Sequence, residues 1–241
     1  MSRSIVQAQS DNAPVASAAQ RRLIVTLDGP AGAGKSTVAK LLAARLGYLY
    51  LDTGALYRAV AWKVRVAGID PADAAAVAGL LPTTKVALEY RPDRPLVFVD
   101  GRDVTDAIRT PEISQLASLV SAIPAVREWL LPVQRDIGAA GGIVAEGRDL
   151  GTRIFPQAQA KFFLDADLTT RAARRHRELA GAGHASELER TQQEIEDRDR
   201  QDRTRDVAPL VPAPDAVRVD SSTLTVDQVV NRLLDVIAIK L

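Results

Sequence analysis

Apolar runs and helical spacing alternate along most of the chain. Residues 23–29 form an apolar run that ends in glycine, and residues 36–47 carry apolar side chains at the three- and four-residue spacing of a helix. Gly47 predicts the end of that helix, because glycine readily adopts the left-handed conformation that closes helices. A strand, a glycine-rich turn and a helix in this order predict the opening of a parallel α/β sheet.

The same alternation predicts further strands and helices. Residues 48–52 indicate a second strand, and Thr53 is suited to capping the helix that follows. Pro124 and Pro132 are expected to divide or start helices, because proline disrupts a helix interior. Two buried strands, a last strand and a C-terminal helix are expected at residues 141–149, 160–166 and 216–221 and from Val226 onward.

Between Pro71 and Pro111 the pattern changes to short β-like runs separated by Pro, Asp and Gly. We interpret residues 83–108 as an antiparallel β insert in the α/β frame. The fold class expected is therefore α/β, with a parallel sheet flanked by helices and a small antiparallel insert. Residues 23–241 are expected to form this one domain, and residues 1–22, which lack periodicity, are expected to form a disordered leader.

Composition adds mainly exclusions. A formal charge of +1 gives no global field for a nucleic-acid polymer or an anionic membrane. The chain has no cysteine, which excludes disulfides and thiolate metal sites and suits a reducing compartment. No apolar stretch approaches the roughly 18 residues of a membrane span, and the first residues lack the apolar run of a signal peptide. We expect a cytoplasmic protein.

The strongest motif lies in the predicted turn between the first strand and helix. It matches the phosphate-binding pattern G-x-x-x-x-G-K-[ST] at every position, in Gly29, Pro30, Ala31, Gly32, Ala33, Gly34, Lys35 and Ser36. Its backbone N–H groups and the helix N-terminus favour a polyphosphate. Lys35 is expected to reach the β- and γ-phosphates and Ser36 to ligate Mg²⁺. A plain glycine-rich turn with a surface lysine is the simpler alternative.

Three apolar runs end in a carboxylate that could face the phosphates, at Asp100, Glu146 and Asp165. Asp100 stands before glycine inside the predicted insert, where a two-residue turn explains it. Glu146 ends a strand of the α/β frame, whose carboxyl edge is the usual ligand crevice. A guanine-reading Asn-Lys-x-Asp segment is absent, which disfavours a Ras-like switch.

Residues 171–205 contain nine arginines, no lysine and eight carboxylates. Arginine binds phosphate in a bidentate manner, although salt bridges along a solvated helix explain such a run equally well. Arg198, Asp202 and Arg205 fall within a wedge of roughly 60° on one helix face. The helical hairpin that begins near Arg171, Arg174 and Arg175 is suited to closing over a transferring phosphoryl group.

Together these segments resemble the bacterial cytidylate kinases, a family of nucleoside monophosphate (NMP) kinases. The resemblance spans about residues 23–240 and rests on five motifs, at residues 29–37, 51–58, 108–110, 146–152 and 197–205. It implies a P-loop kinase fold with an NMP-binding region at about residues 53–127 and an Arg-rich helical lid at about 171–190. The implied reaction moves the γ-phosphoryl group of ATP, with Mg²⁺, to CMP or dCMP. The implied partners are these small molecules alone, with no nucleic-acid polymer or membrane, and the protein is expected to be a monomer.

The resemblance also implies roles for individual residues. The donor site would comprise residues 29–36 with Thr37 and, from the lid, Arg171, Arg174 and Arg175. The acceptor phosphate would be held by Thr53, Arg58, Arg148 and Arg205, the ribose by Arg198 and Asp202, and cytosine by Ser118, Arg127 and Asp149, with Arg109 in the same substrate-binding set. Of these residues, Lys35, Arg148, Arg171, Arg175 and Arg205 are the expected catalytic residues.

Two positions depart from the family pattern: Thr53 stands where serine is usual, and Glu146 where aspartate occurs. Both substitutions keep the functional group. Two other functions stay open at this point. One is a P-loop kinase that acts on UMP or on a non-nucleotide metabolite, and the other is a non-catalytic regulator that uses ATP only to hold a conformation.

Overall fold

The structure, a computed structural model, describes residues 22–91 and 94–240. They form two compact units: the inserted unit, Thr53–Ile137, and the sheet unit, which comprises residues 22–52 and 138–240. Apart from Arg22, the predicted disordered leader lies outside the described residues.

The sheet unit is built on five parallel strands in the spatial order β2-β6-β1-β7-β8. Their bounds are β1 Ile24–Asp28, β2 Leu49–Asp52, β6 Ile143–Gly147, β7 Ala160–Asp165 and β8 Val217–Asp220. The central strands are buried over nearly their whole length, as expected for a parallel sheet covered on both faces. Because all strands run in one direction, their carboxyl ends meet at one edge. The predicted parallel sheet is confirmed.

Four α-helices of the described residues belong to the sheet unit, α1 Lys35–Leu46, α6 Leu168–Gly181, α7 Leu188–Thr204 and α8 Val226–Ala238, with a short π-helix at Leu150–Ile154. Helices α1 and α8 pack together over a core that includes Leu27, Leu42, Phe162 and Leu233. Helix α1 ends at Gly47, which has the left-handed φ of 65° that the sequence predicted. These two helices fix the position of the turn between β1 and α1.

The inserted unit contains four helices and a small sheet. Its helices are α2 Thr53–Val66, α3 Ala74–Leu80, α4 Pro111–Ser121 and α5 Pro124–Gly138, whose last residue belongs to the sheet unit. Its antiparallel strands are β3 Val86–Tyr90, β4 Pro95–Val99 and β5 Arg102–Asp103. This sheet confirms the predicted β insert. Thr53 is the first residue of α2 rather than a cap before it, and α3 had not been predicted.

Asp100 has the structural role expected of it. Asp100 and Gly101 form the β4–β5 turn with φ angles of 51° and 80°, the positive values that tight hairpin turns require. The Asp100 carboxylate accepts hydrogen bonds from Lys63 Nζ at 2.7 Å and from the Lys85 backbone N–H at 2.8 Å. It therefore stabilises the insert.

The prolines of α5 behave differently from each other. Pro124 begins the helix, as predicted, but Pro132 lies inside it and neither divides nor starts a helix, so that prediction was wrong. A proline ring fits helical φ angles and removes one backbone hydrogen bond. The fully buried side chains of Val126 and Leu130 keep the helix packed despite that loss.

Among the described residues, no single helix is both long and apolar enough to cross a membrane. Helices α4 and α5 meet such a test only as a pair, and they are bent by 101° at the break between them.

Candidate active site

The phosphate-binding motif forms the turn from β1 into α1. Gly32 and Gly34 have φ angles of 73° and 90°, values that other residues rarely adopt. A Cβ on Gly29 would collide with the Leu164 carbonyl oxygen, and one on Gly32 would lie 2.7 Å from that of Arg171. The glycines are therefore required by the close approach of β7 and α6 as well as by the turn itself.

The turn leaves the N-terminus of α1 suited to an anion. Gly34 occupies the N-cap position and has no side chain to cap the first backbone N–H groups of the helix. Lys35 follows directly, and its buried Nζ donates a hydrogen bond of 2.6 Å to the Pro30 carbonyl oxygen. The helix dipole, the N–H groups and the ammonium together favour a phosphate at this end.

Burial and nearby cations lower the pKa of Lys35 to about 7. Desolvation is the largest cause, and Arg148 and Arg198 act in the same direction, while Glu146 opposes them. Asp202 also opposes them, so the lowered pKa comes mainly from the loss of solvent around the ammonium. An added polyanion would restore the charged form.

Ser36, the other polar residue of the motif, is connected to Glu146 at the end of β6. Ser36 Oγ donates to Glu146 Oε2 at 2.9 Å, and the Tyr50 hydroxyl of β2 donates to Glu146 Oε1. Strand register explains the placement, since Glu146 pairs with Leu27 on one side and Asp52 on the other. Burial and the Asp52 charge raise the pKa of Glu146, although Lys35 opposes them.

The donor set here suits a hard divalent cation. Magnesium prefers oxygen ligands and is often bound by one or two protein groups together with substrate phosphates. Ser36 and Glu146 supply a hydroxyl and a carboxylate beside the phosphate-binding turn. Within residues 22–91 and 94–240, no group of three or more metal-binding side chains could hold an ion without such a substrate.

A second charged cluster brings together predicted acceptor residues that belong to the sheet unit. Arg148 Nε lies 2.9 Å from Asp202 Oδ2, and Arg205 lies 3.3 Å from Asp202 and 3.8 Å from Asp149. Burial favours a higher pKa for Asp202, but Arg148, Arg198 and Arg205 outweigh it and lower the pKa. Arg198 and Asp202 lie on α7, but Arg205 follows its last residue with an extended backbone, so the predicted single helix face holds for two of its three residues.

The predicted lid arginines have separate environments. Arg171 is buried, and its Nη1 lies 2.5 Å from Asp199 Oδ2 and donates to the Ala31 carbonyl oxygen at 3.1 Å. Arg174 donates to the Ser221 hydroxyl at 2.9 Å and to its carbonyl oxygen at 2.6 Å. Arg175 pairs with Glu178 on its own helix at 2.9 Å. The Arg171 side chain therefore contacts the backbone of the phosphate-binding turn.

Five predicted substrate residues lie in the inserted unit: Thr53, Arg58, Arg109, Ser118 and Arg127. Arg127 of α5 is buried, donates to the Ser121 carbonyl oxygen of α4 at 3.2 Å, and stacks 5.3 Å from the ring centroid of Tyr57 in α2. Arg127 thus links three helices of this unit. Thr53 is buried at the start of α2, whereas Arg109 is exposed.

Some residues around the site were missed from the sequence. Asp28, the residue before the motif, accepts backbone hydrogen bonds from Leu150 at 2.9 Å and Gly151 at 2.8 Å. It also ends an apolar run in a carboxylate, the same signal that drew attention to Glu146. Tyr50 and Asp199 had no such signal, because their partners are distant in sequence.

Asp28 predicts a pH dependence of stability. Burial raises its pKa from 3.8 to about 6, against the two backbone hydrogen bonds, so the folded state favours the protonated carboxyl. Stability from this group is greatest at low pH and is lost as the pH rises through about 6. Between pH 4 and 7 we expect the native protein to lose roughly 2 kcal/mol of unfolding free energy relative to Asp28→Asn.

Urea unfolding of both proteins across that pH range measures the difference. The exposed Asp235 provides a matched control, since Asp235→Asn should follow the native curve within about 0.5 kcal/mol. Parallel curves for the native protein and Asp28→Asn would contradict the prediction.

The chain is similar to known proteins over most of its length. The family model described as cytidylate kinase matches residues 25–239. A cytidylate kinase of Geobacillus thermodenitrificans is 46% identical over 218 residues, covering 90% of this chain and 97% of that protein. One of Ligilactobacillus salivarius is 48% identical over 219 residues, covering 90% and 97%. Among solved structures, shikimate kinase from Acinetobacter baumannii matches with 15% identity and a TM-score of 0.47, covering 90% and 94% of the two chains. The chain belongs to the cytidylate kinase family.

Proposed function

We propose that this protein transfers the γ-phosphoryl group of ATP to CMP or dCMP, giving ADP and CDP or dCDP. The observation that carries the proposal is the proximity of two phosphate-binding sets at one sheet edge. Asp28 at the end of β1 pairs with Gly147 at the end of β6, so the turn that carries Lys35 and the segment that carries Arg148 leave the sheet side by side. Two phosphate groups bound there would face each other between Lys35 and Arg148.

The donor phosphates belong on the turn at residues 29–37. Lys35 would exchange the Pro30 carbonyl oxygen for the β- and γ-phosphate oxygens, and the open N-terminus of α1 would bind the same group. Ser36 and Glu146 would hold Mg²⁺, which when bound neutralises charge on the phosphate oxygens. Arg171, Arg174 and Arg175 of α6 would contact the donor phosphates. Arg171 would also hold the turn in place through its hydrogen bond to the Ala31 carbonyl oxygen.

The family resemblance assigns the acceptor to residues of the second cluster and to residues of the inserted unit. Arg148 and Arg205, with Thr53 and Arg58, would bind its phosphate, and Asp202 and Arg198 its ribose. Asp149 would accept a hydrogen bond from the cytosine amino group, with Ser118, Arg127 and Arg109 completing the set. A carboxylate at this position rejects uracil, which presents an acceptor where cytosine presents a donor.

The transfer requires no general base. The second pKa of a phosphate monoester is about 6, so the attacking oxygen of CMP is mostly anionic at pH 7. That oxygen forms a bond to the γ-phosphorus as the bond from this phosphorus to the β–γ bridging oxygen breaks. The arginines hold the two oxygens in line and stabilise the charge of the transition state.

A coupled assay of ADP release with CMP, dCMP, UMP and AMP tests the proposal. We expect CMP and dCMP to stimulate ADP release at least tenfold more than UMP or AMP, each compared with ATP alone. Preference for UMP would establish a different acceptor. ATP binding without ADP release in the presence of any acceptor would establish a regulator and overturn the proposed function.

The cytoplasmic location and the monomeric state expected from the sequence stay predictions.

A further inference from the structure

The carboxylate at Glu146 is held by two donors on opposite sides. Ser36 Oγ donates to Oε2, and the Tyr50 hydroxyl donates to Oε1. Glu146 is buried, with 6% of its surface exposed, and both of its carboxylate oxygens have protein partners, whereas the Ser36 residue is exposed. A glutamate side chain has one more rotatable bond than an aspartate side chain. The hydrogen bond from Tyr50 restricts rotation about that bond.

A hydroxyl that ligates a cation uses an oxygen lone pair and needs another acceptor for its proton. Glu146 Oε2 accepts the proton of Ser36, which leaves the Ser36 lone pairs available toward a metal. The orientation of the hydroxyl therefore depends on the orientation of the carboxylate. The carboxylate in turn depends on Tyr50.

The Tyr50 ring is itself restrained. It lies on β2, whose register places the neighbouring Asp52 beside Glu146, and the Lys40 ammonium sits 5.6 Å from its ring centroid. Tyr50 is half-buried. Because it lies within β2, its hydroxyl reaches the site from a strand rather than from a loop. A partner on a strand holds its acceptor more rigidly than one on a flexible segment.

We propose that Tyr50 is a positioning residue for the metal bound with the donor nucleotide. Its hydroxyl fixes Glu146 so that Ser36 presents its oxygen to the ion. The inference rests on the proposed function, because the ion is Mg²⁺ held by Ser36 and Glu146 together with the donor phosphates. Residues that orient metal ligands in this way commonly change metal affinity 10- to 100-fold when they are replaced.

The experiment measures metal binding directly. Mn²⁺ replaces Mg²⁺, and the electron paramagnetic resonance of free Mn²⁺ gives its affinity for the protein saturated with ADP. We expect Tyr50→Phe to weaken Mn²⁺ binding about tenfold. The affinity for ADP in the presence of EDTA should change less than twofold, because the role proposed for Tyr50 acts on the metal through Glu146.

Tyr48→Phe is the matched control, since it removes a hydroxyl from the same segment. That hydroxyl accepts a hydrogen bond from the Leu23 backbone N–H at 3.1 Å, and we expect its loss to leave Mn²⁺ affinity within twofold. In a Glu146→Ala background, Tyr50→Phe should have less than a twofold further effect, because Tyr50 acts through Glu146. Both tyrosine variants keep the ring, and their melting temperatures verify that they fold.

Equal Mn²⁺ affinity in the native protein and Tyr50→Phe overturns the inference and leaves the proposed function standing. A full tenfold effect in the Glu146→Ala background overturns it as well, since Tyr50 would then act by another route. Failure of the native protein with ADP to bind Mn²⁺ overturns the proposed metal site, and the inference with it.

Discussion

Replacing Arg148 with alanine is expected to lower kcat/KM for CMP by about three orders of magnitude. Arg148 directly follows the end of β6, two residues after Glu146, and it pairs with Asp202 of α7. Its charge lies near Lys35 and would face the transferring group. An interaction made mainly in the transition state should reduce kcat and kcat/KM together.

The fold should survive this change. Asp202 retains its contact with Arg205 at 3.3 Å, so the buried carboxylate keeps a cationic partner, and we expect a loss of stability of about 1–2 kcal/mol. Arg148→Lys should recover less than a tenth of the lost activity, because an ammonium cannot replace a planar guanidinium that binds two oxygens.

Steady-state kinetics with CMP, supported by thermal unfolding, measure both effects. Arg190 provides the control: it lies on α7, its side chain is 76% exposed, and it pairs with Glu194 one turn further along the helix. Arg190→Ala should keep kcat/KM within twofold. Near-native turnover by folded Arg148→Ala would exclude Arg148 from the chemistry.

Much of the fold followed from local signals in the sequence. The glycines, Lys35 and Ser36 are adjacent, and an apolar run before them and helical spacing after them were enough to predict β1, the turn and α1. The antiparallel insert was equally local, because its strands are neighbours joined by short turns. Pro132 was misjudged, since burial of α5 outweighed the local preference of proline.

The candidate site was predictable where a residue type carries its own chemistry. Arginines and carboxylates at helical spacing pointed to the face of α7 that Arg148 contacts. The contacts of Arg171 could not be predicted from the sequence. Asp199 and the Ala31 carbonyl oxygen come to it from distant parts of the chain, and only the packing of α6 and α7 against the turn determines which acceptor it meets.

Tyr50 shows the same limit more sharply. Its spacing in the sequence is that of an ordinary strand residue, and its hydroxyl acquires a role only because β2 pairs with β6 in the register Asp52 with Glu146. Parallel pairing between residues almost a hundred positions apart leaves no local pattern. The strand order of the sheet, rather than any motif, therefore completes the site.

Lys35→Met is expected to abolish phosphoryl transfer and to stabilise the protein in the absence of nucleotide. Removal of the ammonium should reduce kcat/KM at least a thousandfold, because no other lysine reaches the phosphates from this turn. The same ammonium is buried among arginines, and its pKa is lowered from 10.5 to about 7 by desolvation, Arg148 and Arg198. The folded state therefore favours the neutral amine, which costs stability wherever the unfolded lysine is charged.

The stability difference between Lys35→Met and the native protein depends on pH. The destabilisation is fully present below about pH 7 and is lost as the pH rises toward 10.5, so Lys35→Met should be more stable than the native protein by about 2 kcal/mol or more at pH 6. The advantage should shrink by roughly 2 kcal/mol between pH 6 and pH 9. Urea unfolding at these two pH values, without nucleotide, measures it.

ATP separates this explanation from a general gain in packing. Polyphosphate should stabilise the native protein strongly, since it pairs with Lys35 and restores its charge, whereas Lys35→Met should gain little. The exposed Lys240, beyond the end of α8, gives the control: Lys240→Met should shift stability by less than about 0.5 kcal/mol at either pH and keep its response to ATP. A Lys35→Met protein that is less stable than the native one at pH 6 would show that this ammonium stabilises the empty site. An equal response of both proteins to ATP would place the phosphates elsewhere.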